Sequence, residues 1–145
     1  MTAEIKTEIL IQATASKIWT ILTDFENYPN WNPFIQSITG EVKKGKKIKV
    51  RIRQSESNEM AFNPKILNYE VNKQIVWLGH LLFSGVFDGE HKFELIDNGN
   101  GTTTFKQSEK FKGILVPFLK KQLEHNTKNG FEEMNKKLKD LAEQN

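Results

Sequence analysis

The sequence predicts an α+β fold: a seven-stranded, strongly curved antiparallel sheet gripping one long C-terminal helix, with two short helices after the first strand. Three observations carry this. From Leu115 to Leu141 the apolar residues Leu115, Val116, Phe118, Leu119, Leu123, Phe131, Met134, Leu138 and Leu141 recur at the spacing of one helical face. Lys120, Lys121, Glu124, Lys128, Glu132, Lys136, Lys137, Lys139 and Asp140 fill the other side. Almost everything before this stretch reads as short alternating strands. A single helix over 115–143 would run roughly 40 Å and needs a long curved surface to lie on.

The elements follow in order. Residues 4–11 alternate, with Ile5, Thr7, Ile9 and Ile11 inward and Lys6 and Glu8 outward. Thr14 or Ser16 caps a short helix that carries Ile18, Trp19, Ile21 and Leu22. Pro29 and Pro33 punctuate the next segment, FENYPNWNPF, and hold the residue before each away from α geometry. It reads as a second short helix or turn bearing Tyr28, Trp31 and Phe34. Strands are expected over 35–42, 47–54, 61–71, 74–82, 86–96 and 102–112. The turn KKGK covers 43–46, a polar loop covers 55–60, and a turn falls near Asn72-Lys73. In 47–54 the basic Lys47, Lys49, Arg51 and Arg53 oppose Ile48, Val50, Ile52 and Gln54, as on a sheet with one wet face.

The clearest hairpin joins 86–96 to 102–112 through Asp97-Asn-Gly-Asn-Gly101. If it turns symmetrically about Gly99, Leu95 faces Thr103, Phe93 faces Phe105, His91 faces Gln107, Gly89 faces Glu109 and Phe87 faces Phe111. Alternation puts Glu90, Lys92, Glu94, Lys106, Ser108, Lys110 and Lys112 on the water side. The same alternation places His91, Gln107 and Glu109 inside, among phenylalanines. A one-residue slip would reverse every side chain. Buried polar groups need partners. Two readings stand side by side: a polar anchor in an apolar pocket, orienting a ligand or acting as an acid–base pair, or a satisfied internal hydrogen-bond cluster. Trp77 shares its parity with Gly79, where a missing side chain leaves room for a bend or a ligand. Trp31 and Phe34 are expected at a pocket rim or in the core, and His80 and His125 at the surface.

Composition narrows the function classes. The 145 residues favour one domain spanning 1–145, with no linker or repeat. Net charge is +3, and the basic residues are dispersed rather than gathered in an aromatic-laced stripe, so no nucleic-acid partner is expected. There is no cysteine, hence no disulfide, thiolate nucleophile or cysteine zinc site. No two histidines share metal-ligand spacing on one element, so neither metal nor other cofactor is expected. Asn98-Gly-Asn-Gly101 lacks the lysine and strand-to-helix setting of a phosphate loop. MTAEIKTEIL has no basic n-region or long apolar run, and no stretch approaches the ~18 apolar residues of a membrane span. A cytoplasmic protein without a transmembrane segment is expected.

Over about residues 3–142 the chain resembles the START-like helix-grip (SRPBCC) superfamily, particularly its bacterial polyketide cyclase/dehydrase-like branch. The opening strand followed by ATASKIWTILTDFENYPNWNPF carries the resemblance, with FSGVFDGEHKFEL and GTTTFKQSEKFKGILVPFL leading into the long helix. It implies a deep apolar cavity between sheet and helix. Members bind lipids, sterols, polyketides or plant hormones. Some catalyse cyclisation or dehydration, and some regulate or chaperone partner proteins. The histidine of the GEH phrase and the glutamate before the FxG phrase recur in the branch. They match His91 and Glu109, which the resemblance makes cavity-facing. The two-His-one-carboxylate iron site of the ring dioxygenases has no counterpart in this sequence.

Three functions from different classes are therefore carried forward. The first is binding of a small apolar molecule by Trp31, Phe34, Trp77, Phe87, His91, Gln107, Glu109, Phe111, Leu119, Leu123 and Phe131. Each buried apolar contact is worth ~1.5–3 kcal/mol. The second is a cyclase or dehydratase with Glu109 or His91 as general base or acid. The third is a protein-partner module that offers Lys47, Lys49, Arg51 and Arg53 to an acidic surface, against the plainer reading of a solvated sheet face.

Overall fold

The computed structural model describes residues 2–55, 58–81 and 84–144 and, at 54, 55, 58 and 81, the backbone alone. Strand β1 (Thr2–Ile11) leads into α1 (Ala15–Leu22), a 3-10 turn (Phe25–Asn27) and α2 (Tyr28–Trp31). Then come β2 (Ile35–Thr39), β3 (Lys49–Ser55), β4 (Asn58–Phe62), β5 (Lys65–Glu70), β6 (Gln74–Leu81), β7 (Phe87–Asp97) and β8 (Thr103–Lys112). The chain ends in α3 (Val116–Gln122), a π segment (Leu123–Thr127) and α4 (Lys128–Ala142). Thr14 is the cap of α1, its hydroxyl accepting from the Lys17 N–H at 3.2 Å.

The α+β architecture and its antiparallel pairing are as expected, but the strand count is not. Eight strands form a five-stranded sheet ordered β1-β8-β7-β6-β5 and a three-stranded sheet ordered β2-β3-β4. The expected strand 61–71 is two strands, broken at Asn63-Pro64. Pro64 has no N–H for a ladder and keeps the preceding residue extended. Before it, Phe62 pairs with Val50; after it, Ile66 pairs with Trp77. The segment thus passes from one sheet to the other. A bridge between Lys47 and Lys65 joins the two sheets, with Ile48 N–H donating to the Pro64 carbonyl at 3.0 Å. The bend expected of one sheet is made at this seam. Most of the expected 55–60 loop is strand instead, as Arg53 pairs with Glu59 and Ile52 with Met60. Residues 56 and 57 of that loop, and the expected end of β6 at residue 82, lie outside the described residues.

The β7–β8 hairpin turns about Asn100, not Gly99. Gly99 and Gly101 both take positive φ, at 79° and 85°, and Asn98 N–H donates to the Thr102 carbonyl across the loop at 3.1 Å. Leu95 therefore faces Phe105, Phe93 faces Gln107, His91 faces Glu109 and Gly89 faces Phe111. The shift is two residues, an even number, so every side chain keeps its expected face.

The helix expected over 115–143 is interrupted by the π segment, and its buried stripe differs from the apolar count. Val116, Leu123, Phe131, Met134 and Leu138 are buried as expected, and Asn135 and Ala142 join them. Phe118 is 82% exposed, because it falls off that stripe. Residues of α4 pack on β1 and α1. Lys139 Nζ donates to the Leu10 carbonyl at 2.9 Å and Gln12 N–H to Glu143 at 2.8 Å, which pins the helix end. The Gln12 N–H, reinforced by Lys139, holds the Glu143 carboxyl below its ordinary range. Around α1, Tyr28 is fully buried and its hydroxyl donates to the Leu22 carbonyl; burial, with Asp24 adding, pushes the phenol pKa upward. Among the described residues no helix is long and apolar enough to cross a membrane.

Candidate functional site

A cavity of about 310 Å³ lies between the sheets and the first half of the C-terminal helical stretch. Its making begins with missing side chains. Gly79 and Gly89 pair directly across β6 and β7, so the sheet floor carries no Cβ on either strand. The Phe62 ring comes within 3.1 Å of where a Gly79 Cβ would stand. A Cβ on Gly89 would collide with Glu109 Oε2. A bare backbone at 89 is thus what lets the Glu109 carboxylate lie flat on the floor.

Each wall follows from an alternation or a helical spacing. Trp77, Phe87, His91, Glu109 and Phe111 come from the inward parity of β6, β7 and β8. Phe34 and Ile35 stand at the start of β2. There the Asn32 side-chain oxygen accepts from both of their N–H groups, at 2.9 and 2.8 Å. Ile52, Met60 and Phe62 close the side formed by the small sheet, and Leu119, Gln122, Leu123, Asn126 and Thr127 line the helix side. The π segment supplies the last three of these, a backbone irregularity of a kind often found at functional sites.

His91 and Glu109 are the polar centre. His91 is 3% exposed, and its Nδ1 lies 3.1 Å from Glu109 Oε1. The imidazole stacks on Trp77 with centroids 4.9 Å apart and meets the edges of Phe93 and Phe131 at 4.7 and 5.1 Å. The other ring nitrogen, Nε2, is buried and has no partner among the described residues. His80 Nδ1 and Asp88 Oδ1 are 2.6 Å apart, and both Asp88 oxygens accept from the Gly85 N–H. Desolvation pulls the Asp88 pKa up, but the bonds from His80 and Gly85 and the Lys112 charge hold it below the ordinary carboxylate value.

Eight of the expected residues are gathered on the cavity wall: Phe34, Trp77, Phe87, His91, Glu109, Phe111, Leu119 and Leu123. The other three stand behind it. Phe131 is fully buried beneath Phe34 and His91, with the Phe34 ring 5.4 Å away. Gln107 is fully buried in a separate ring: its Nε2 donates to Asn135 at 2.8 Å, Asn135 donates to Thr7 at 2.9 Å, and Thr7 donates to the Gln107 carbonyl at 2.8 Å. Trp31 packs edge-on against Tyr28 at 5.3 Å. Gln122 and Asn126 escaped an apolar count, though they stand three residues from Leu119 and Leu123 on one helical face; the spacing was the signal. His80, expected at the surface, is half-exposed at the rim. The basic β3 face is partly neutralised, with Glu59 2.9 Å from Arg51 and 3.7 Å from Arg53. Among the described residues no three His, Cys, Asp or Glu side chains gather as a metal site.

Comparison with known proteins gives the same fold. The aromatase/cyclase Zhui from Streptomyces sp. R1128 superposes with a TM-score of 0.79 at 11% identity, over 99% of this chain and 94% of that one. A START superfamily protein from Mycobacterium smegmatis gives 0.73 at 20% identity, over 97% of each chain. A norcoclaurine synthase point mutant from Thalictrum flavum, in complex with a transition state analogue, gives 0.73 at 15% identity, over 98% and 94%. No curated protein matches the sequence. The family model described as polyketide cyclase / dehydrase and lipid transport matches residues 2–143. With nearly the whole chain matched, on a helix-grip fold suited to hydrophobic ligands, the protein belongs to the polyketide cyclase / dehydrase and lipid transport family.

Proposed function

We propose that the protein binds a small hydrophobic molecule in the cavity between its sheets and C-terminal helix. The carrying observation is a space of about 310 Å³ whose walls are mostly rings and aliphatic chains, with the His91–Glu109 pair and a few neutral polar groups set into them. That volume sits at the small end of the ~300–1,000 Å³ range of ligand sites, and its lining has their usual character. Phe34, Trp77, Phe87, Phe111, Leu119 and Leu123 supply apolar contact, and His91 with Glu109 sets orientation. Phe131 acts from behind, by packing on the His91 ring, while Gln107 and Trp31 pack away from the cavity, on Asn135 and Tyr28. The family match over residues 2–143 supports reading the chain as one domain devoted to this task.

Native mass spectrometry of the purified protein, with mass spectrometry of an organic extract, tests the proposal. A co-purifying apolar species, or amide shifts at the wall residues on adding lipid, sterol or polycyclic probes, is the expected result. Shifts confined to surface lysines count against it.

The 3.1 Å contact between His91 and Glu109 favours a second reading, acid–base catalysis of cyclase or dehydratase type in the same cavity. Given a substrate, Glu109→Gln then lowers the rate ~10²-fold or more. Undiminished turnover removes Glu109 from the mechanism.

A further inference from the structure

The charge lining the cavity is one-sided. The chain carries 21 Lys and Arg residues, yet none lines the cavity among the described residues. The carboxylate of Glu109 does line it, with Oε1 engaged by His91 and Oε2 lying over the bare backbone of Gly89. The other titratable residue on the wall, His80, is already committed to Asp88. Gln122, Asn126 and Thr127 add neutral polar groups on the helix side.

A carboxylate or phosphate head group entering this space would lose its hydration, find no cation, and approach a fixed anion in a wall of low polarity. An ammonium head would suit Glu109 but would also shed a tightly held water shell. A hydroxyl meets neither obstacle. It donates to Glu109 Oε2 and so completes a hydrogen bond the protein leaves open.

Resting on the binding reading above, we propose that the cavity selects uncharged apolar ligands that carry a hydroxyl, an alcohol or a phenol, and discriminates against anionic lipids such as fatty acids. The Glu109 carboxylate is the selecting group, and Gly89 is the position that admits it.

The test uses three probes with one ring system: 2-naphthol, 2-methoxynaphthalene and 2-naphthoate, titrated near neutral pH and followed by the amide shifts of wall residues. 2-Naphthol is expected to bind ~10-fold or more tightly than 2-naphthoate, with 2-methoxynaphthalene between them. In Glu109→Gln, which keeps the shape and removes the charge, the naphthol–naphthoate gap is expected to narrow by ~3-fold or more, the hydration cost of the naphthoate remaining. Naphthoate binding as tightly as naphthol to the wild type overturns the selection while leaving the cavity a binding site. A gap that is unchanged in Glu109→Gln overturns the role of Glu109. If none of the three probes shifts a wall residue, the binding reading itself fails, and the selection with it.

Discussion

The two ends of the grip are built from the same strands and the same helical stretch, yet one is solid and the other hollow. At the solid end Ile75, Phe93, Leu95, Phe105, Met134 and Leu138 are buried, and the Gln107–Asn135–Thr7 ring satisfies most of the polar groups between them. At the hollow end the continuing positions of β6, β7 and β8 are Gly79, Gly89, Phe87, Glu109 and Phe111. The layer of Trp77, His91 and Phe131 divides them. The difference teaches that the cavity is no packing failure. It is made by glycines opposite each other on the floor and by rings placed at the walls, while stability is concentrated beyond the dividing layer.

Substitutions test that division, and the largest effects belong at the solid end. Phe93→Ala removes a fully buried ring and is expected to cost ~3–5 kcal/mol in urea unfolding. Phe87→Ala, at a half-buried wall position, is expected to cost under ~1.5 kcal/mol while weakening ligand binding. Similar costs for the two would erase the distinction. Next comes Asn135→Leu, which strips Gln107 Nε2 of its acceptor and is expected to cost ~1–3 kcal/mol without moving ligand affinity. Gly89→Ala should show the reverse pattern. Its Cβ displaces only the flexible end of Glu109, so the stability cost is about 1 kcal/mol, and the loss appears in ligand affinity measured by titration.

The smallest effects come from acid. Asp88, paired with His80, and Glu143 at the solid end both have folded pKa values below their unfolded ones. Their stabilising contributions are therefore complete above the ordinary carboxylate range and fade as pH falls through the lower folded values. Below about pH 4, Asp88→Asn should flatten part of the pH dependence of thermal unfolding, and Glu143→Gln another part. Wild-type slopes in both variants would remove these carboxylates from the acid response.

Much of this was legible in the residues. Alternation in 47–53, 74–80 and 86–112 assigned faces correctly, and it survived a two-residue error in the hairpin register because parity is insensitive to even shifts. His91 and Glu109 were found inside for that reason, although the partner expected for His91 was Gln107. What alternation does not carry is the identity of neighbours in space. Gln107 faces inward as expected, but the helix above it offers Asn135 and so draws it into the solid end. Phe131 shares the stripe of Leu123 and yet sits one layer below the wall. The broken strand at Pro64 was visible as a proline; that its halves join different sheets depends on long-range pairing. Phe118 fits an apolar count and lies outside the buried stripe.

The π segment at Leu123–Thr127 has a consequence of its own. One residue more than an α-helix needs delays the angular phase of everything after it by about 100°. The helix can thus be read as two rods joined by a phase shifter: the first, with Leu119, addresses the hollow, and the second, from Phe131 to Ala142, is locked to β1 and α1. Insertion or deletion of a residue within the shifter would turn the first rod while the second stays seated. Such a length change would redraw the lining of the hollow and leave the solid end intact. The fold therefore has a place where chain length, rather than side-chain identity, sets which residues meet a ligand.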